Sequence, residues 1–264
     1  MKITQHKTLS ILLLTAIMLI ILTGCSSGGG GDATTPPASE EIPGATAAEP
    51  EATTEATAAP DDTEAPDKSV DETKDITADF VDPAFLAWVR EEVGKNDGEP
   101  ILVSDVKDID IVDVYGKAIS SLGGIEWFAS LQILYCNENQ LTQLDVSNNT
   151  ALGILRCNGN QLTALDVSNN IALVDLTCNN NQMTALDVSN NIALVNLYCF
   201  KNQLTELDVS KNVKLKILEA SYNELTKLDI SNNIELKDLY IKNNPLSKQD
   251  ITGLDESRTT IDID

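Results

Sequence analysis

Apolar and polar positions recur with a period of 21 residues along the second half of the chain. One copy reads LGILRCNGNQLTALDVSNNIA from Leu152, and the next reads LVDLTCNNNQMTALDVSNNIA from Leu173. In each LxxLxC segment the Leu and Cys positions alternate around one outward residue, which predicts a short β-strand. Six copies of this length indicate a solenoid, because one unit cannot bury enough apolar surface alone and must stack on its neighbours.

A helical pattern precedes the repeats. Asp82-Pro83 is typical of a helix N-cap followed by proline at the first helical position. Phe85 and Val89 then follow at helical spacing, and Gly94 predicts the end of the helix. We expect this helix to cover the apolar end of the first coil, since a solenoid needs such a cap.

The repeated unit, LxxLxCxxNxLTxLDVSxNxx, resembles leucine-rich repeats over residues 109–254, as one 22-residue unit and about six 21-residue units. With the helix and the phrase ISSLGGIE at 119–126, the chain is most similar to internalin-type bacterial surface proteins. The resemblance implies an α/β-type leucine-rich-repeat solenoid. Its seven short parallel β-strands would line the concave face, with turns or short 3-10 segments on the convex face and a helical N-terminal cap. It also implies that the concave sheet binds other proteins.

The first residues have the composition of an export signal. Residues 1–24 combine two lysines with an apolar run from Ile11 to Leu22, as in a signal peptide. The run ends in LTGC, which resembles the bacterial lipobox and implies cleavage before Cys25 and lipid attachment to its thiol. The alternatives are a transmembrane anchor and a signal peptide with an incidental cysteine. The lipobox interpretation places the protein on the bacterial cell surface, anchored by acyl chains in the outer face of a membrane.

An acidic tract of Thr, Ala, Pro and Glu separates the signal from the repeats. Residues 25–76 contain few large apolar side chains, so they predict a disordered stalk. O-glycosylation and docking on a basic partner are sharper alternatives for this tract. Residues 77–108 then hold the helical N-terminal cap, 109–254 hold the repeats, and 255–264 form a C-terminal cap or a tail.

Charge and histidine content restrict the possible functions. The formal net charge of −23 argues against nucleic acid as a partner, because no basic patch could displace counterions. The only histidine is His6, so Ser-His-Asp and Cys-His chemistry have no histidine outside the predicted signal peptide. Ser104 and Lys107 match S-x-x-K but lack the companion motifs of that chemistry. We therefore expect no enzymatic activity, no catalytic residues, no cofactor and no metal.

Two polar columns recur at fixed positions in the repeat. One Asn per coil is predicted to be structural, because a buried amide can donate and accept hydrogen bonds at each turn. This column is Asn139, Asn160, Asn181, Asn202, Asn223 and Asn244. One Asp per coil begins each DVS or DIS and predicts a cap for the following turn, with calcium between neighbouring carboxylates as the alternative. This column is Asp145, Asp166, Asp187, Asp208 and Asp229.

A cysteine column occupies an inward position of four consecutive predicted strands. Because it alternates with apolar residues, it predicts buried free thiols that act as small hydrophobic side chains. Disulfides between neighbouring coils and zinc binding are the alternatives. The column consists of Cys136, Cys157, Cys178 and Cys199.

The residues that flank each inward Leu and Cys are predicted to project from the concave sheet. Three of the five tyrosines and one of the four phenylalanines fall at these positions. Aromatic and Arg side chains are the usual anchors of interfaces, although tyrosines also simply favour strands. Ile133 and Ile154 are predicted to face outward as well. The candidate ligand-binding residues are Tyr135, Arg156, Asn158, Thr177, Tyr198, Phe200, Glu219, Tyr240 and Lys242.

The expected function is therefore recognition of another protein, from a host or a neighbouring cell, by a monomeric surface lipoprotein. A glycan or cell-wall binding module and a passive envelope protein are the alternatives. A glycan ligand should depend mainly on the tyrosines of the concave face. A protein ligand should also depend on Arg156 and Lys242, with sensitivity to salt.

Overall fold

The computed structural model describes residues 71–264; the predicted signal peptide, Cys25 and most of the predicted stalk lie outside these residues. Two α-helices precede the first strand: α1 (Pro83–Val93) and α2 (Val103–Val106). Short 3-10 turns occur at Thr77–Asp79, Ile125–Trp127 and Lys248–Asp250. The strands are β1 (Ile111–Asp113), β2 (Ile133–Tyr135), β3 (Ile154–Arg156), β4 (Asp175–Thr177), β5 (Asn196–Tyr198), β6 (Ile217–Glu219), β7 (Leu228–Asp229), β8 (Asp238–Tyr240), β9 (Ile251–Thr252) and β10 (Thr260–Asp262).

Eight of these strands form one parallel sheet in the order β1-β2-β3-β4-β5-β6-β8-β10. Register partners advance by one repeat, so Leu155 pairs with Leu176, and the first step from Val112 to Leu134 is one residue longer. The solenoid and its parallel concave sheet are therefore confirmed. The strand β10 adds an eighth rung to the seven strands expected from the repeats.

A single apolar core fills the interior of the coils. Leu155, Leu162 and Val167, from the second full repeat, are all fully buried, and so are their counterparts in the neighbouring coils. Each fully buried aliphatic side chain contributes about 1.5–3 kcal/mol relative to an exposed one, and this gain requires the next coil as a cover. Stacking of neighbours is thus the main source of stability for every coil.

The N-terminal helix is joined to the first coil by Asp82. Its Oδ1 accepts the backbone N–H groups of Ala84 (2.9 Å) and Phe85 (3.1 Å), and this caps α1. Its Oδ2 accepts both the N–H and the hydroxyl of Ser120, each at 2.7 Å. Burial by itself would raise the pKa of Asp82, but these hydrogen bonds outweigh it and lower the pKa.

Aromatic packing seals the same end of the core. The ring of Phe85 lies 5.6 Å from that of Phe80 and 6.3 Å from that of Phe128, centroid to centroid, and all three side chains are buried. Gly94 ends α1 in the left-handed region at φ 70°, where a glycine carries no steric penalty. The predicted helix is therefore present at the open end of the first coil.

The folded region extends beyond both ends expected from the pattern. Asp75 forms an antiparallel bridge with Leu102, and Ile76, only 1% exposed, donates its N–H to Ile101 O at 2.8 Å. The stalk was predicted to extend to residue 76, but Asp75 and Ile76 already belong to the folded region, because the Ile76 side chain is buried in the apolar core. At the other end, Thr260–Asp262 continues the sheet. Within residues 71–264, no helix has the length and apolar character needed to cross a membrane.

Candidate binding face

The asparagine column positions the ends of the concave strands. Asn160 Oδ1 accepts the N–H of Leu141 at 2.9 Å in the preceding coil. Its Nδ2 donates to Cys157 O in its own coil and to Cys136 O in the preceding one, both at 3.0 Å. The same pattern repeats at Asn181, and the amides thus satisfy buried backbone groups where each strand turns away from the sheet.

A second asparagine column lies on the opposite side of the core and was not singled out from the sequence. Asn191 donates from Nδ2 to Val167 O and Asn170 O, both at 2.9 Å, in the preceding coil. Its Oδ1 is buried and has no hydrogen-bond partner among residues 71–264. The sequence pattern that could have predicted this column is the Asn that ends each SNN or SKN segment of the repeat. This column is Asn149, Asn170, Asn191, Asn212 and Asn233, all fully buried.

The aspartate column caps the turns that follow it. Asp187 Oδ1 accepts the N–H of Ser189 at 2.8 Å, and the other members repeat this bond with the serine two residues ahead. The hydrogen bonds from Ser189 lower the pKa of Asp187, while Asp208 and Asp166 oppose the shift. Among residues 71–264, no group of three or more His, Cys, Asp or Glu side chains is placed to hold a metal ion.

The cysteine column is buried in the core. All four thiols are fully buried and free in the described part of the chain. Burial raises the pKa of Cys157 to about 12, and the same cause acts on Cys199. Because the thiolate is the reactive form, burial and the raised pKa make these side chains poor nucleophiles in the folded protein.

One row of outward side chains crosses the sheet at the last residue of each strand. Register pairing places Tyr135, Arg156, Thr177, Tyr198, Glu219 and Tyr240 on successive rungs. The guanidinium of Arg156 lies 5.1 Å from the ring centre of Tyr135, within cation–π range. The structure therefore brings six of the nine candidate residues into one line.

The other three candidates lie two residues beyond the strands. Asn158 Nδ2 makes a long contact of 3.5 Å with Glu138 Oε1. Phe200, two residues after Tyr198, is half-buried. Lys242 Nζ pairs with Asp262 Oδ1 at 2.6 Å, so its charge is already partnered within the chain.

The concave face differs from the expected one in two respects. Ile133 and Ile154 are only 2% and 9% exposed, because neighbouring coils cover them on the sheet surface. They are therefore not available as outward contacts. The flanking strands add Asp113 and Asp262, which pattern reasoning missed because the first coil is degenerate and β10 lacks the LxxLxC motif.

A column of left-handed residues forms the rim beside the face. Lys201 has φ 52° and Tyr222 has φ 56°, values that are uncommon for non-glycine residues. The ammonium of Lys201 lies 5.8 Å from the ring centre of Tyr222, which is 52% exposed. This rim therefore adds an aromatic and a cationic group next to Phe200.

Tyr198 lies at the centre of the charged groups of the face. Burial raises its pKa, and the charges of Asp175, Tyr240 and Asp238 act in the same direction, while Arg156 opposes them. The hydroxyl therefore lies within electrostatic reach of four side chains from three other coils. A ligand that touches Tyr198 would be in a position to interact with all of them.

No protein-family model and no curated protein matches the chain. Among solved structures, the chain is similar to the functional domain of InlJ from Listeria monocytogenes, described as including a cysteine ladder, with a TM-score of 0.57 and 30% identity. That alignment covers 71% of this chain but only 46% of the InlJ chain, so this chain spans less than half of its length.

Two further Listeria monocytogenes internalins share the fold. Internalin C2 aligns with a TM-score of 0.54 and 20% identity, over 75% of this chain and 100% of its own. Internalin InlF aligns with a TM-score of 0.51 and 19% identity, over 67% of each chain. The repeats described above therefore form an internalin-like leucine-rich-repeat domain.

Proposed function

We propose that this internalin-like repeat protein is a non-enzymatic, lipid-anchored cell-surface protein that binds another protein through its concave face. The single observation that carries the proposal is the row of aromatic and charged side chains from Tyr135 to Tyr240. Only nine Tyr and Phe residues occur in the whole chain. Three of these nine, Tyr135, Tyr198 and Tyr240, lie on this one outward row, and aromatic side chains commonly anchor interfaces.

The size of the face sets the expected affinity. Eight strands at about 4.8 Å span roughly 34 Å, and three outward residues per strand give a projected area of about 400 Å². A standard interface buries about 800 Å² on each partner. The partner must therefore also contact the rim near Lys201 and Tyr222, or bind with modest affinity.

Membrane attachment at Cys25 completes the proposal. The lipobox-like LTGC and the preceding apolar run support it. Replacing Cys25 by alanine should abolish incorporation of a tagged fatty acid and release the chain from the membrane fraction. A Cys25→Ala chain that still carries label, or an unlabelled wild-type chain, would rule out lipidation at this residue.

Binding to whole cells tests the concave face. The purified chain should bind saturably, treatment of the cells with protease should abolish binding, and the Tyr198→Ala/Phe200→Ala variant should lose it. The matched control is Ile192→Ala/Val213→Ala, which truncates two exposed side chains outside the sheet. Circular dichroism must first show that both variants fold. Loss in the control, or retention in the concave variant, would exclude the concave face.

The glycan alternative draws on the same tyrosines, because aromatic rings also stack on sugars. A glycan panel run beside the cell assay separates the two. Saturable glycan binding that resists protease treatment of the cells would replace the protein partner with a carbohydrate. Absence of saturable binding to cells and to the panel would favour a passive envelope role.

A further inference from the structure

Glu219 lies between two tyrosines in the middle of the concave row. Register pairing places Tyr198, Glu219 and Tyr240 side by side on β5, β6 and β8. With adjacent strands about 4.8 Å apart, the tyrosines start roughly 10 Å from each other across the glutamate. All three side chains are partly exposed. The two tyrosines therefore flank a carboxylate on the concave surface.

Glu219 ends its strand and is partly exposed. Ser221 is small and only 7% exposed, and its N–H donates to Glu219 Oε1 at 3.2 Å. That bond holds one carboxylate oxygen, and the other has no hydrogen-bond partner among residues 71–264. Among residues 71–264, Glu219 takes part in no salt bridge.

The basic side chains of the face are occupied elsewhere. Arg156 stacks on Tyr135 at 5.1 Å, and Lys242 pairs with Asp262 at 2.6 Å. Neither satisfies Glu219. The concave surface around Glu219 therefore combines an unpaired negative charge with two aromatic faces, and both attract cations.

The surrounding charge has the same sign. The outward positions of the eight strands carry five carboxylates, of which Asp262 is paired with Lys242, and a single basic side chain, Arg156. The carboxylates are Asp113, Asp175, Glu219, Asp238 and Asp262. A cationic group would gain from this field, whereas an acidic group would be repelled.

We propose that Tyr198, Glu219 and Tyr240 form a recognition slot for a cationic side chain, an arginine or lysine, that the bound protein presents. This inference rests on the proposed function, because it specifies what the partner offers to the concave face. In the slot the carboxylate of Glu219 accepts charge-assisted hydrogen bonds, and the two rings pack on the guanidinium or the alkyl ammonium. The bound protein is therefore basic where it meets β5, β6 and β8.

Single-residue probes test the slot without a known partner. N-acetyl-arginine methylamide and N-acetyl-lysine methylamide are titrated into the full chain, with N-acetyl-glutamine methylamide as the neutral probe. Tyrosine ring signals are followed by NMR and assigned with Tyr198→Phe and Tyr240→Phe. One-residue probes are needed because a polycation would bind anywhere on a chain of charge −23.

The cationic probes should shift the Tyr198 and Tyr240 signals saturably, and the neutral probe should not. Glu219→Gln keeps the shape and should weaken binding about tenfold, the usual value of one charge-assisted hydrogen bond. Glu224→Gln, in the same coil but outside the sheet, is the matched control and should change nothing. Equal shifts with the glutamine probe, or unchanged binding in Glu219→Gln, would overturn the slot.

The cell assay separates this inference from the proposed function. Binding that is lost in Tyr198→Ala/Phe200→Ala but insensitive to Glu219→Gln and to high salt would retain the concave face and reject the slot. Saturable cationic-probe binding in a chain that binds no cells would retain the slot and reject the proposed function. Loss of cell binding in Glu219→Gln, with Glu224→Gln unaffected, supports both.

Discussion

Replacing Asn202 by alanine should strongly destabilise the protein, because its amide makes three buried hydrogen bonds between two coils. Its Oδ1 accepts the N–H of Met183 at 3.1 Å. Its Nδ2 donates to Cys178 O at 3.2 Å and to Cys199 O at 3.0 Å. The alanine side chain can replace none of these bonds, and the site is buried, so water cannot easily take their place.

The expected loss of unfolding free energy depends on which hydrogen bonds the three partners of Asn202 retain. Cys178 O still accepts from Asn181 and Cys199 O still accepts from Asn223, both at 3.1 Å, so each carbonyl loses one of two bonds. The N–H of Met183 is left with no acceptor among residues 71–264. An orphaned buried N–H costs about 1–3 kcal/mol and each lost bond about 1 kcal/mol, so the free energy of unfolding should fall by roughly 3–5 kcal/mol.

The second asparagine column supplies a comparison with the same deleted atoms. Asn191→Ala removes two donated hydrogen bonds, but both acceptors retain another one. Val167 O still accepts the backbone N–H of Asn170, and Asn170 O still accepts that of Leu173, both at 3.0 Å. No N–H is orphaned, because Asn191 Oδ1 accepts none. The loss should therefore be about 2 kcal/mol or less.

Urea unfolding followed by circular dichroism and tryptophan fluorescence measures both losses. Gln203→Ala, exposed and adjacent to Asn202, controls for the loss of an amide side chain as such and should stay within about 0.5 kcal/mol of wild type. Equal losses in Asn202→Ala and Asn191→Ala, or a larger loss in the latter, would refute the assignment of the larger role to the first column.

Three further predictions concern reactivity, backbone strain and pH. The cysteine column should resist iodoacetamide at pH 8 in the native chain and react after unfolding, as measured by mass spectrometry. Fast labelling of the native chain, or disulfides between these cysteines, would contradict buried free thiols. Gly159 has φ 66°, so Gly159→Ala should lower the free energy of unfolding by about 1 kcal/mol in the same urea assay. Lys201 has φ 52°, so Lys201→Gly should leave the free energy of unfolding unchanged. A larger loss in Lys201→Gly than in Gly159→Ala would contradict strain in the left-handed region. Because the pKa of Asp82 is lowered, its carboxylate stabilises the fold above the unfolded pKa near 4, and this contribution is lost as pH falls through the folded pKa. Asp82→Asn should therefore lower the melting temperature at neutral pH and flatten its decline in acid, and an unchanged pH profile would argue against this.

The sequence alone was sufficient for the architecture, because the signals that specify it are local and repeated. Alternation within LxxLxC dictates which side of each strand is apolar, and identical units can bury that side only by stacking in register. The helix over Pro83–Val93 follows from the Asp82 cap and the spacing of its apolar residues. The burial of the cysteine column follows from the same alternation.

Only the tertiary structure decided which outward side chains are accessible and which charges are unpaired. Ile133 is covered and Glu219 is not, although both occupy outward positions of their strands, because exposure depends on side chains from adjacent coils. Strand β10 forms without the repeat motif, since its partner β8 supplies the template. The repeated inward positions determine that the coils stack. The exposure of an outward side chain depends on outward side chains 21 residues away, and the repeat pattern does not constrain those residues.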